Sequence, residues 1–171
     1  GVLATGAALS PATGWNIFGP ASGSFFGLVE ATTVSRNALI QSFAAPQLSS
    51  AVLSFSMFVA SPQAATAVDV AGLDHTVDGD NQHVRVDILK ASAGSFDTGA
   101  NAVVGSFYVG GETNGWQSYS FDVTSLLAAG GEYQLRFANV ANRGQLQLGV
   151  DSVSLEVAAV RREHEPQEVL V

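Results

Sequence analysis

Apolar and polar positions alternate along most of this chain, and the period is two, that of a strand with one buried face. In AVLSFSMFV, Ala51 to Val59, one side carries Leu53, Phe55, Met57 and Val59 and the other Val52, Ser54, Ser56 and Phe58; the first set reads as core. HVRVDIL repeats the pattern, with Val84, Val86 and Ile88 inward and Arg85 and Asp87 pointing away. Further on, YSFDV aligns Tyr119, Phe121 and Val123, EYQLRF aligns Tyr133, Leu135 and Phe137, and GVDSVSLEV aligns Val153, Leu155 and Val157. SFFGLVEATT, ALIQSF and AVVGSFYVG supply further strands. Only TSLLAA, after Asp122, looks helical, and it is long enough for a single turn. Short alternating strands separated by turns predict an all-β, antiparallel β-sandwich.

The punctuation of the pattern gives one domain, residues 1–157, led in by a strand within 1–14. Between Ser61 and Gln82 the stretch DVAGLDHTVDGDNQ is turn chemistry and reads as a long exposed loop. Residues 158–171 change character: RREHE concentrates charge and an apolar triplet follows Pro166, a tail suited to packing on a neighbouring subunit. The start at Gly1 fits removal of a signal peptide or a fragment boundary equally well.

Charge narrows the partners. Seven Lys and Arg stand against 15 Asp and Glu, a formal net charge of −8, so a nucleic-acid backbone or an anionic membrane would be repelled. The absence of cysteine excludes disulfides and thiolate metal sites. No apolar run approaches the roughly 18 residues that a membrane-spanning helix needs. Charged residues make up only 13% of the chain and hydrophobic ones 47%, a balance suited to a surface that faces other copies of itself or a matrix.

The run WQSYSFDVTSLL, followed by LRFANVANRGQLQLGVDSVSL, resembles the jelly-roll ectodomains of bacterial secreted and surface proteins, including those sorted by a C-terminal PEP-CTERM tail. The resemblance covers Ala38 to Val157 and implies a jelly-roll sandwich located outside the cell. RREHEPQEVLV departs from the sorted family, having neither a transmembrane stretch nor a basic terminal cluster, which leaves secretion or incorporation into a polymer. The resemblance also implies one structural calcium near Asp151 of the closing strand, with Glu30 as the partner from an early strand.

Read from the residues themselves, Asp74, Asp78, Asp80 and Asn81 supply several hard oxygens at close spacing, a second place for calcium, though without the bidentate Glu of an EF-hand. FDTGAN, Phe96 to Asn101, carries an Asp-Thr-Gly triplet, but it leaves a loop rather than an apolar strand and reads as a turn. Asp87, Arg136, Asn142 and Asp151 read as scaffold polar contacts, with an ion pair between the first two. His75, His83 and His164 have no ligand spacing, and no nucleophile elbow or phosphate loop is present. Of Trp15, Trp116, Tyr108 and Tyr119, Trp116 is the candidate for stacking on a sugar ring. The expectation is therefore a non-catalytic extracellular structural protein, stabilised by calcium and self-assembling into a filament or surface layer, a homopolymer joined by a terminal segment, GVLATGAAL or Glu168 to Val171. The alternative is a carbohydrate-binding module with extracellular polysaccharide as partner.

Overall fold

The alternating runs become strands in the computed structural model, which describes residues 2–5, 18–68, 72–113 and 115–160. In chain order they are β1 (Val2–Thr5), β2 (Phe25–Ala31), β3 (Ser35–Ala45), β4 (Leu48–Ala60), β5 (Gln82–Lys90), β6 (Val103–Gly110), β7 (Gln117–Asp122), the helical turn α1 (Thr124–Leu127), β8 (Gly131–Ala141) and β9 (Leu146–Ala159). Sheet A runs β1-β2-β9-β4-β7 and sheet B runs β3-β8-β5-β6, with every pairing antiparallel. The chain crosses repeatedly between sheets, so that β2, β9, β4 and β7 face β3, β8, β5 and β6. That winding is a jelly roll, with β1 added at one edge.

The core lies where the alternation places it. Leu53, Phe55, Met57 and Val59 of β4 meet Val84, Val86 and Ile88 of β5 and Leu135 and Phe137 of β8, all buried. On one flank aromatic pairs close the gap between sheets: Tyr108 against Tyr119 at 5.7 Å and Phe107 against Phe121 at 5.2 Å. At the turn before β8, Gly130 has φ +72° and a Cβ there would lie 2.9 Å from the carbonyl carbon of Pro46, so both backbone sign and space demand glycine.

Two expectations about exposure are corrected. The stretch between Ser61 and Gln82, expected to be an exposed loop, is exposed at Pro62, Ala64, Thr76 and Asp78 to Asp80 but anchored on the outer face of sheet B, where Leu73 is buried against Ala138 and Val140 and Asn81 is fully buried. Asp87 and Arg136 do point away from the core, yet both are 0% exposed, because that loop and the β5–β6 loop roof them. Arg136 donates to Asp87 through Nε at 3.2 Å and Nη2 at 2.5 Å, and through Nη1 to the carbonyls of Ser95 and Asp97. Arg85 binds the other Asp87 oxygen at 2.9 Å. The two loops also interlock, since a Cβ on Gly72 would lie 2.3 Å from Oγ1 of Thr98.

The lead-in also differs from expectation. Val2–Thr5 finds a partner within its own chain, Val2 opposite Leu28 and Thr5 opposite Phe25. The rest of the lead-in, Trp15, and residues 161–171 with His164 lie outside the described residues.

Removing one member of the Asp87–Arg136 pair leaves the other charge buried. Arg136→Met should lower unfolding stability by about 3–5 kcal/mol, measured by urea titration. A second test uses His83, which lies under the same roof at 2% exposure with Nδ1 unpaired. Desolvation, reinforced by Arg85 and opposed by Asp87, pushes its pKa down from 6.5 to about 4. A depressed histidine binds its proton in the unfolded chain first, so its contribution is complete above pH 6.5 and is lost as pH falls toward about 4. In His83→Gln the urea midpoint should fall less steeply across that window than in the parent.

Candidate functional site

The roof over sheet B leaves the outer face of sheet A as the open face. Register fixes what it displays. Ser54 of β4 lies opposite Ser120 of β7 and Ser154 of β9, forming a row of three hydroxyls across three strands. The next row is Asp122, Val52 and Glu156; on the other side Ser56 lies opposite Ser118. Ser54 bonds Ser120 at 3.2 Å and Ser56 bonds Ser118 at 3.1 Å, which orients the hydroxyls while their remaining capacity stays available. Ser118, Ser120, Ser154, Asp122 and Glu156 are exposed. Hydrogen bonds from the hydroxyl and backbone N–H of Thr124 hold the Asp122 carboxyl below its usual range.

At the far end of the same face sits an aromatic patch. Phe58, on the outward side of β4 as the alternation places it, is nevertheless 0% exposed. Its ring lies over Gly149 of β9, where a Cβ would come within 2.0 Å of it, and it meets Phe18, Phe26 and Trp116 edge-on. Trp116 stands 4.8 Å from Phe58 and 5.5 Å from Phe26, and its Nε1–H donates to the Gly19 carbonyl at 2.7 Å. The indole is therefore fixed and partly buried, with the remainder at the surface beside the hydroxyl rows.

The candidate calcium residues fall into separate places. Glu30 and Asp151 share the open face, but Glu30 lies opposite Gln147, four residues along β9 from Asp151 and so roughly 13 Å away. Glu30 accepts from Gln147 at 2.8 Å, while Asp151 accepts from the backbone N–H of Ser22 at 2.9 Å and of Ser152 at 2.6 Å. Asp74, Asp78, Asp80 and Asn81 lie on the sheet B roof. Backbone and side-chain hydrogen bonds from Thr76 occupy the Asp74 carboxylate and lower its pKa. Asp80 pairs with Arg143, and Asp78 is exposed. Asn81 donates to the carbonyls of Gly72 and Asp74, both at 2.8 Å, and accepts from Val68. Its backbone N–H donates to Asn142 Oδ1 at 2.7 Å. Among the described residues no three His, Asp or Glu side chains come together in a group that could hold a metal ion.

The Asp-Thr-Gly triplet lies in the β5–β6 loop, where the Asp97 carboxylate accepts from Gly94 N–H at 2.8 Å and forms a turn. Sequence reasoning missed the hydroxyl rows. The signal was present in the serines at every second position of AVLSFSMFV and of QSYSFD, which alternation set aside as the outward side.

No family model matches this chain, and no curated protein matches it. Among solved structures it is similar to a carbohydrate-binding module, TmCBM61, determined in complex with beta-1,4-galactotriose: TM-score 0.46, 11% identity, covering 81% of this chain and 74% of that one. It is also similar to a CBM4 structure, with TM-score 0.41 and 12% identity over 81% of this chain and 86% of that one. A third is the Cowpea Mosaic Virus empty virus-like particle, with TM-score 0.31 and 12% identity over 89% of this chain and 92% of that one. Among the described residues no helix is long and apolar enough to cross a membrane.

The seat of Phe58 is the most sensitive point of this face. Gly149→Ala should force the ring out of place and lower stability by about 1–3 kcal/mol in urea unfolding.

Proposed function

We propose that this chain is a non-catalytic, extracellular carbohydrate-binding module that holds neutral polysaccharide on the outer face of sheet A. The observation that carries the reading is that face itself: uncovered among the described residues, with oriented serine hydroxyls in rows, two carboxylates beside them and a fixed indole at one end. Sugars present alternating hydroxyls and apolar C–H patches. Serine hydroxyls and carboxylates answer the first, and a ring that stays partly at the surface answers the second. Asp122 and Glu156 stand on either side of Val52, about 10 Å apart at the usual strand spacing. They project from a pleated face rather than across a cleft, which suits accepting hydrogen bonds better than enclosing a glycosidic bond for cleavage. The net charge of −8 favours a neutral glycan over an anionic one.

Assembly with copies of itself, the reading suggested by the terminal segments, loses one of its arguments because Val2–Thr5 is paired within the chain. Its support comes from β9.

The test is affinity electrophoresis through gels carrying neutral polysaccharides. The parent chain should be retarded by at least one of them, and Ser120→Lys, at an exposed position, should weaken retention at least tenfold with an unchanged melting temperature. Lack of retardation on every polysaccharide, or retention indifferent to Ser120→Lys, would refute the reading.

A further inference from the structure

The last strand is paired on both edges over only part of its length. From Leu146 to Val150 β9 lies between β2 and β4. Beyond that, among the described residues, only the β4 side is paired. A bulge marks the change: Ser54 pairs with Ser154 but Ser56 with Asp151, and Ser152 between them takes φ +52°. Val153, Leu155 and Val157 then turn toward the interior, with Leu155 opposite Leu53 and Val157 opposite Ala51. Even so, Val153 is 46% and Val157 48% exposed, because no strand of the described chain lies beside them. Next to that edge an apolar slot of about 210 Å³ opens between the sheets, lined by Phe43, Leu53, Ile88, Leu135, Val153 and Leu155.

An edge of this kind is ordinarily blunted by lysine, proline or a cover. DSVSLEVAAV, Asp151 to Val160, contains neither residue.

We propose that this edge is a self-association interface, in which Val153–Val157 pairs antiparallel with the same segment of a second copy about a two-fold axis at Leu155. Three physical arguments favour a second copy and set its register. Side-chain parity must be kept, so inward residues pair with inward ones. With Leu155 opposite its counterpart, Val153 meets Val157 of the other copy. Charge then selects this register: Glu156 falls opposite Ser154, whereas a slide of two residues in one direction would set Glu156 against Glu156, and a slide in the other would shorten the pairing. Finally, a copy brings a strand that is already formed, so the ordering entropy that a free peptide would lose on docking has been spent in folding. The result is an isologous interface that continues sheet A from one molecule into the next. This inference does not rest on the glycan reading, because Val153 and Val157 lie on the opposite side of β9 from Ser154 and Glu156.

The experiment is sedimentation equilibrium on the full chain, combined with disulfide trapping, which a chain with no cysteine permits cleanly. The parent should show a reversible monomer–dimer equilibrium, and Val157→Lys should weaken the dimer at least tenfold while polysaccharide retention is unchanged. Val153→Cys mixed with Val157→Cys should cross-link under mild oxidation, since opposed residues of an antiparallel pair stand within disulfide reach. Val153→Cys alone should not, its counterpart being four residues away along the strand. A parent that remains monomeric to about 1 mM would overturn the proposal. So would a dimer without the mixed disulfide, or a dimer that forms only after residues 161–171 are removed, which would assign the edge to the chain's own tail.

Discussion

The buried pair between Asp87 and Arg136 organises this molecule. Two charges with no exposure are tolerable only when every polar atom is answered, and here they are: Arg136 reaches the carbonyls of Ser95 and Asp97 as well as the carboxylate, and Arg85 takes the other oxygen of Asp87. The pair couples the two central strands of sheet B to the β5–β6 loop. That loop then carries Phe96, over which Arg36 stacks at 4.4 Å, and holds Thr98 against Gly72 of the neighbouring loop. Asn81 and Asn142 fasten the second loop through its backbone. One electrostatic contact thus anchors the loops that cover one sheet face, while described residues of the other face, such as Ser118, Ser120 and Ser154, stay exposed.

Much of this architecture is legible in the sequence. Alternation locates β4, β5, β7, β8 and β9 and assigns their inner faces correctly, because the period of a strand is a local property. It does not reveal which outward face is roofed, because burial of Asp87, Arg136 or Phe58 depends on chain far away: Ser95 and Asp97 for the pair, Gly149 and Phe18 for the ring. The acidic loop shows the same limit. Asp74, Asp78, Asp80 and Asn81 have a cation-like spacing, yet Thr76, Arg143 and backbone carbonyls engage three of the four. Glu30 and Asp151 fall on one face, with Glu30 opposite Gln147, four residues along β9 from Asp151, a spacing that only the register reveals. The serine rows escape notice because a serine on the outward side looks like mere solubility until the strands are aligned.

The molecule is consequently two-sided and lopsided. Sheet B is closed by its loops, and one flank is closed by Tyr108, Tyr119, Phe107 and Phe121. The other flank opens beside β9, the strand that also contributes Ser154 and Glu156 to the exposed face. A single strand therefore displays outward side chains on the exposed face and inward ones beside an unpaired backbone edge.

The position of that strand bears on how the chain comes into being. β9 is the last of the described strands but lies inside sheet A, between β2 and β4 along its first half, just as β8 lies between β3 and β5 in sheet B. During synthesis, then, neither sheet can close until β8 and β9 have been made, because they bridge the earlier strands. Pairings as distant as Gly27 with Val150 make folding a slow, all-at-once event. Until β8 and β9 are in place, the edges of β2, β3, β4 and β5 that they cover stand unpaired.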